Sequence, residues 1–140
     1  MAHFYLNEQL TDAAAGSVVS ILGEEARHAV TVSRIRVGET LSIGNGRGLV
    51  VTGAVVEAGA RLSIEAADVV RVPAPTPRLT LVQALAKGGR DELAIQAATE
   101  LGVDAVIPWA SQRSIVRWAG PKALKGQQRW ASIVREATKQ

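Results

Sequence analysis

A chain of 140 residues, 47% hydrophobic and 21% charged, is long enough for one ordinary domain or two small ones. It holds no cysteine, which excludes disulfides, thiolate metal sites and a cysteine nucleophile and fits a reducing, cytoplasmic setting. The net charge of +3 is unevenly placed: Met1 to Val72 carries six arginines against eight carboxylates, whereas Pro73 to Gln140 carries ten cations against five. A basic half points to a polyanionic partner, nucleic acid being the commonest; a solvated basic surface is the plain alternative. The N-terminus lacks the basic segment and apolar run of a secretory signal, and no apolar run nears the ~20 residues of a membrane-spanning helix.

In chain order the first half reads as strands. Phe4–Leu6, Val18–Ile21, Thr40–Ile43, Leu49–Val56 and Leu62–Val70 are β-branched or alternating. A helix is expected between the second and third, over about Glu24–Ser33, with its two glutamates at the end where the helix dipole favours negative charge. Gly44-Asn45-Gly46 is a hairpin signal, because Asn and Gly tolerate positive φ, and Gly59-Ala60 marks a second tight connection. Several short strands and one helix in this length predict a small β-barrel.

Pro73-Ala74-Pro75-Thr76-Pro77 then interrupts the pattern, since alternating prolines continue neither a helix nor a central strand. The expected domains are 1–72 and 78–140, joined by linker 73–77. The second half alternates strand and helix. Leu79–Ala86 reads as a buried strand. Asp91–Leu101 reads as a helix, with Asp91 near its N-cap and Gly102 at C′. That helix is apolar around most of its circumference, which predicts packing on several sides. Ala105–Trp109 is a second strand. A last helix is expected from about Leu124, with Trp130, Ile133, Val134 and Ala137 on one face. Strand-helix-strand implies two parallel strands. Such sheets normally have more strands and two covered faces, so the second domain is expected to be incomplete.

Ligands of open α/β sheets bind beyond the carboxyl ends of the strands. Lys87 and Arg90 follow the first parallel strand, and Ser111, Gln112, Arg113 and Arg117 follow the second. Lys87-Gly88-Gly89-Arg90 is either a plain turn or a loop whose N–H groups approach an anion; its spacing is not that of a P-loop. Arg27, His28, Arg34 and Arg36 form a second basic cluster. Seven residues separate Arg27 from Arg34, so on a continuous α-helix they share a face, suited to a nucleic-acid backbone or to plain solvation. His28 alone reads equally as a packed or surface histidine. Asp91, Glu92, Glu100 and Asp104 read as cap and helix-surface residues. Trp109, Trp118 and Trp130 offer stacking surfaces for a base, Trp130 belonging on the apolar face of its helix. No metal cluster, nucleophile triad or paired catalytic carboxylates can be read.

The segments "RHAVTVSRIRVGE" (Arg27 to Glu39), "GNGRG" (Gly44 to Gly48), "LVQALAKGGRDELAIQAATELGV" (Leu81 to Val103), "SQRSIV" (Ser111 to Val116) and "QRWASIVREATKQ" (Gln128 to Gln140) occur in an order that resembles one family. It is the RsmE-type methyltransferases, which modify N3 of a uridine in small-subunit (16S) ribosomal RNA. The similarity covers essentially the whole chain. It implies an N-terminal PUA-like β-barrel that helps bind RNA, then a SPOUT-type parallel α/β domain with a deep trefoil knot, acting as a homodimer with S-adenosylmethionine. Its strand-end position and its match to the family's Gln/Glu-Arg-Ser motif make Arg113 the candidate catalytic residue; Arg27, His28, Arg34, Arg36 and Arg117 are candidates for binding the ribosomal RNA or the 30S particle, and Lys87 and Arg90 for RNA phosphate or for shaping the active site. No cofactor-binding residue is assigned, and no membrane is involved. Family members continue beyond the position matching Gln140 with a Gly-Pro-Glu-Gly-Gly loop and a Leu-Arg-x-Glu-Thr segment that build the knot and most of the cofactor pocket. The expectation is therefore an α+β/α/β two-domain fragment, with its SPOUT part truncated and inactive alone. The alternatives are a non-catalytic RNA-binding module and a small-anion or nucleotide-binding α/β protein.

Overall fold

The computed structural model describes residues 3–140. The chain divides into two compact units, one through Ala74 and one from Pro75 to Gln140, and the division falls inside the proline-rich stretch.

In the first unit, β1 (His3–Leu6), β2 (Val18–Ile21), β3 (Thr40–Gly44), β4 (Leu49–Ala58) and β5 (Leu62–Arg71) form one sheet in the order β1-β3-β4-β5-β2. β1 runs parallel to β3, and the other neighbours are antiparallel. Alternate branched residues point into one core: Leu41 and Ile43 of β3, Val51 and Val55 of β4, Leu62 and Ile64 of β5. Each such side chain contributes about 1.5–3 kcal/mol by leaving water. The expected barrel is not closed by a backbone ladder: among the described residues β1 and β2 are sheet edges. Asn7 links them instead. Its N–H donates to Gly44 O at 2.8 Å, and its Nδ2 donates to Ser20 O at 2.9 Å.

The expected helix changes period halfway. α1 (Gly23–Arg27) runs directly into a π-type turn over His28–Val32, where Ser33 N–H reaches back to His28 O at 3.1 Å. Arg34 then adopts a left-handed conformation, φ 55°. The sequence explains the irregularity. Ala26, Ala29 and Ile35 are all buried in the sheet's core. On a straight α-helix, Ala29 and Ile35 would point about 120° apart. The wide turn and the left-handed residue return Ile35 to the interior. The expectation that Arg27 and Arg34 share a helical face is corrected accordingly.

The hairpin between β3 and β4 is as expected, but its centre is a side chain. Asn45 is buried; its Oδ1 accepts from Arg47 N–H at 2.7 Å and Leu49 N–H at 3.1 Å, and its Nδ2 donates to Leu10 O at 3.0 Å. Gly48, at φ 94°, admits no side chain, because a Cβ there would lie 2.1 Å from Val72 O.

In the second unit, β6 (Thr80–Ala84) and β7 (Ala105–Trp109) are parallel neighbours, with Thr80 opposite Ala105 and Ala84 opposite Trp109. α2 (Arg90–Glu100) makes the crossover, and α3 (Pro121–Ala137) follows, starting a turn before the expected Leu124 with Pro121 in its first turn. The core is Leu85, Ile95 and Trp130, with Leu81, Val106 and Trp118 against them. Trp118 and Trp130 meet edge to face at 5.3 Å. Gly102 closes α2 in a left-handed conformation, φ 93°, its N–H donating to Thr99 O at 3.0 Å.

Asp91 lies near the N-cap, Gly89, as expected, and is buried in the first turn, accepting from Glu92 N–H at 3.0 Å. Three expectations are corrected here. Asp104 is not a helix-surface residue: it clamps the start of both strands, its Oδ2 accepting from Leu79 N–H at 2.6 Å and its own N–H donating to Leu79 O at 2.9 Å. Nor is α2 packed on several sides. Ile95 is buried, but Leu93 is 67% and Leu101 88% exposed, because two strands and one helix supply a single wall. Likewise β6 is not a buried strand, for Val82 and its β7 neighbour Ile107 are about half exposed.

Asn45 generates a stability prediction. Asn45→Ala leaves the buried Leu49 N–H without its partner, at a cost of about 1–3 kcal/mol. Urea unfolding is expected to show that loss, and Asn45→Asp, which keeps the acceptor but not the donor, is expected to lose less; an unchanged midpoint for Asn45→Ala would show that the side chain does not hold the hairpin.

Candidate nucleic-acid interface

The parallel ladder ends where the sequence-predicted residues begin. Beyond the Ala84–Trp109 pair, Leu85 N–H donates to Trp109 O at 3.0 Å, so both strands finish at one rim. After β6 the chain makes a 3-10 turn over Lys87–Gly89. Gly88 and Gly89 both sit at φ 74°, a conformation that disfavours any side chain, and Arg90 opens α2 immediately. After β7, Ser114 N–H donates to Ser111 O at 3.1 Å, and Ser114 Oγ donates to Leu85 O at 3.4 Å. This folds the loop carrying Ser111, Gln112 and Arg113 back over the end of β6. Lys87, Arg90 and Arg113 are exposed, and their side chains make no hydrogen bond or ion pair among the described residues. Arg117 belongs to the same loop but braces it, its Nη2 donating to Gln112 O at 2.7 Å.

Such a rim can attract and orient an anion. Arg113 offers five donors in a planar fork, Lys87 a point charge, and the glycine turn lets backbone N–H groups approach. Carboxylates do not crowd it, since Asp91 is buried and Glu92 is engaged. Glu92 accepts from Arg129 of α3: Nε donates to Oε1, and Nη2 to Oε2 at 2.7 Å. Sequence reasoning missed this pair. The arginine's hydrogen bonds and charge hold the Glu92 carboxyl below the usual glutamate range, and Arg129 is raised in return.

The first unit places its predicted residues less coherently. Arg27 is paired with Glu24 at 2.6 Å on an exposed turn, where such a pair contributes little. His28 meets the buried Tyr5 ring edge on, at 6.5 Å. Arg34 and Arg36 are exposed on either side of buried Ile35. Arg27 and Arg34 do not share the helical face expected of them, so the row of arginines is interrupted. An open groove of about 340 Å³ elsewhere in this unit is lined by Arg47 and Arg71. Both are already engaged, Arg47 with Glu8 O at 2.8 Å and Arg71 with Asp12. Among the described residues no group of three or more His, Cys, Asp or Glu is placed to hold a metal ion, and no helix is long and apolar enough to cross a membrane.

Known proteins resemble both units. A model for an RNA methyltransferase PUA domain matches residues 21–65, and one for an RNA methyltransferase domain matches residues 73–140. The ribosomal RNA small subunit methyltransferase E of Mycobacterium bovis is 43% identical over 127 residues, covering 89% of this chain and 48% of that protein. Its namesake from Bacillus subtilis is 32% identical over 133 residues, covering 86% and 48%. The crystal structure of a ribosomal RNA small subunit methyltransferase E from Neisseria gonorrhoeae, bound to S-adenosyl methionine, superposes with a TM-score of 0.83 at 28% identity over 99% of this chain and 57% of its own. A putative methyltransferase from Legionella pneumophila, in complex with the same cofactor, gives 0.82 at 25% identity over 99% and 57%. The chain spans about half the length of the curated relatives it matches.

The Glu92–Arg129 pair carries a pH prediction. Because the folded carboxyl is lowered from its ordinary 4.5, the link between α2 and α3 is fully present above that value and is lost as pH falls through the lower folded one. An NMR titration of the Glu92 side chain is expected to give a midpoint below that of an ordinary glutamate, returning to the ordinary range in Arg129→Gln. A midpoint unmoved by that substitution would mean the pair does not persist in solution.

Proposed function

Because this chain belongs to the ribosomal RNA small subunit methyltransferase E family over the half of those proteins that it spans, we propose that it supplies the RNA-facing part of an S-adenosylmethionine-dependent enzyme that methylates N3 of a uridine in 16S ribosomal RNA. The observation that supports the reading is the rim at which β6 and β7 both end and from which the segments bearing Lys87, Arg90 and Arg113 leave, with no carboxylate paired to any of the three among the described residues. The first unit, which matches a PUA model, is assigned to holding the RNA, with Arg27, His28, Arg34 and Arg36 as its contacts.

S-adenosylmethionine supplies the methyl group in this reading. The rim does not fit that donor: three cations suit an RNA phosphate or a ring becoming anionic, and they repel a sulfonium. These residues are therefore assigned to the nucleic acid, and no contact with the donor is assigned to them. N3 of uridine carries a proton and becomes a good nucleophile only when that proton passes to solvent water or hydroxide, since no residue of this chain is assigned as its base. The resulting charge spreads over N3, O2 and O4, and the guanidinium of Arg113, fixed before the reaction, stabilises it there. Lys87 and Arg90 hold the neighbouring phosphates. With one face of its small sheet open, the 140-residue chain alone is expected to give no turnover. The complete enzyme is assigned a dimeric, cytoplasmic state, with the small ribosomal subunit or its RNA as substrate.

Two measurements check this reading. In the complete methyltransferase, Arg113→Ala is expected to lower kcat about 10²-fold or more while the fold is kept, as removal of one donor to a developing oxyanion does; wild-type turnover would remove Arg113 from the chemistry. For this chain alone, affinity for single-stranded ribosomal RNA is expected to fall steeply with salt, with a log–log slope of about −0.7 per phosphate contacted. A shallow slope, equal to that for a mononucleotide, would favour the small-anion reading instead.

A further inference from the structure

Two more cations in the second unit are exposed, and their side chains make no hydrogen bond or ion pair among the described residues: Lys122 and Lys125, in the first turns of α3. Their position follows from the way α3 packs. Trp130 and Ala137 are buried, and Ala123, Gly126, Ile133 and Val134 are half-buried on the same side. Lys122, Lys125 and Arg129, spaced by three and four, line the adjoining flank. Arg129 shows where that flank lies, because it grips Glu92 in the first turn of α2, two residues beyond Arg90. The two lysines stand one and two turns before it, about 6 and 10 Å along the helix. They stand at the start of the helix, which the chain enters from Arg113 and the strand-end loop. Their support is rigid. A Cβ on Gly126 would lie 2.3 Å from the Trp118 ring, so helix and tryptophan are in direct contact, and Trp118 is wedged in turn against Trp130. No carboxylate occurs in α3 before Glu136, so nothing on this helix offsets the lysines.

We propose that the Lys122–Lys125 flank of α3 is a track for the phosphodiester backbone of single-stranded RNA, continuing from the Lys87–Arg90–Arg113 rim and holding the strand that enters it. The proposal rests on the RNA reading given above and adds a surface to it. Two flexible ammonium groups without a planar fork read charge and not sequence, so the track contributes affinity and register but no base preference. It gives a physical use to lysines that contribute neither to the core nor to any ion pair among the described residues.

The test is RNA binding by the chain across a salt series, with a single-stranded segment of small-subunit ribosomal RNA as the probe. The double variant Lys122→Ala, Lys125→Ala is expected to bind more weakly, with a log–log slope shallower by about 1.4, two phosphates at about 0.7 each. The pair Lys122→Arg, Lys125→Arg is expected to keep the wild-type slope. Arg61→Ala, which removes an exposed charge from the β4–β5 connection, is expected to change neither quantity. Steep binding by the wild type with an unchanged slope in the double alanine variant overturns the track and leaves the RNA reading standing. No salt-dependent binding by the wild type overturns the RNA reading and the track with it. A loss that Arg61→Ala reproduces equally shows a non-specific effect of net charge and also overturns the track. Both positions are exposed, so unfolding is not expected; matching circular dichroism and melting temperatures verify this, and the arginine pair carries the comparison if the alanines perturb the helix.

Discussion

Two short strands that run the same way must end at the same edge, and the pairing of β6 with β7 imposes this on the second unit. Everything cationic at the rim inherits its position from that ladder. Lys87 and Arg90 follow one strand directly, Arg113 follows the other, and Ser114 ties the second loop to the carbonyl of Leu85. Had the pair been antiparallel, the same residues would stand at opposite ends of the sheet. The left-handed glycines at 88 and 89 complete the arrangement, because they let the chain turn from strand to helix within the five residues 85–89, so that Arg90 closely follows the strand end. The turn that joins strand to helix and the loop proposed to face an anion are thus one structure.

The electrostatics follow from which charges are already engaged. Five carboxylates accompany ten cations after Val72. Asp91 is turned into its own helix, Asp104 clamps the strand entry, Glu92 holds Arg129 and Glu136 pairs with Lys139. Glu100 accepts only from the neutral Gln96 and keeps its charge, but most of what remains outside an ion pair among the described residues is positive, and much of it borders the rim or the start of α3. A surface with this excess of cations over carboxylates presents a field suited to a polyanion, and that field falls with salt. In the first unit, by contrast, Arg27 and Arg71 are paired and Arg47 is held by a carbonyl, leaving a surface with less cationic charge to offer.

Much of the fold was legible because the residues obey simple periods. The five strands of the first unit show β-branched alternation, and the hairpin at Asn45 shows the residues its turn requires. The parallel pair followed from strand-helix-strand order alone. What escaped has a common cause: tertiary packing overrode local spacing. The helix from Gly23 was read with a single period, but burial of both Ala29 and Ile35 needed a π-type turn, and this dissolved the proposed arginine row. Asn45 was read as a backbone-permissive residue, and the structure adds three side-chain hydrogen bonds. The start of α3 was placed at Leu124, so Lys122 fell outside the helix and its shared flank with Lys125 and Arg129 stayed hidden. Arg113 was legible as a strand-end residue; the hydroxyl that pins its loop was not, because a 29-residue separation gives no local signal.

The central claim is that the strand-end rim of the second unit meets the RNA. The most direct measurement is photocrosslinking with ribosomal RNA carrying 4-thiouridine at single positions, followed by identification of the crosslinked peptides. The account predicts that thiouridine at or beside the modified nucleotide joins peptides spanning residues 86–90 or 111–117. Crosslinks from that nucleotide confined to the first unit, with none to either strand-end loop, would contradict it.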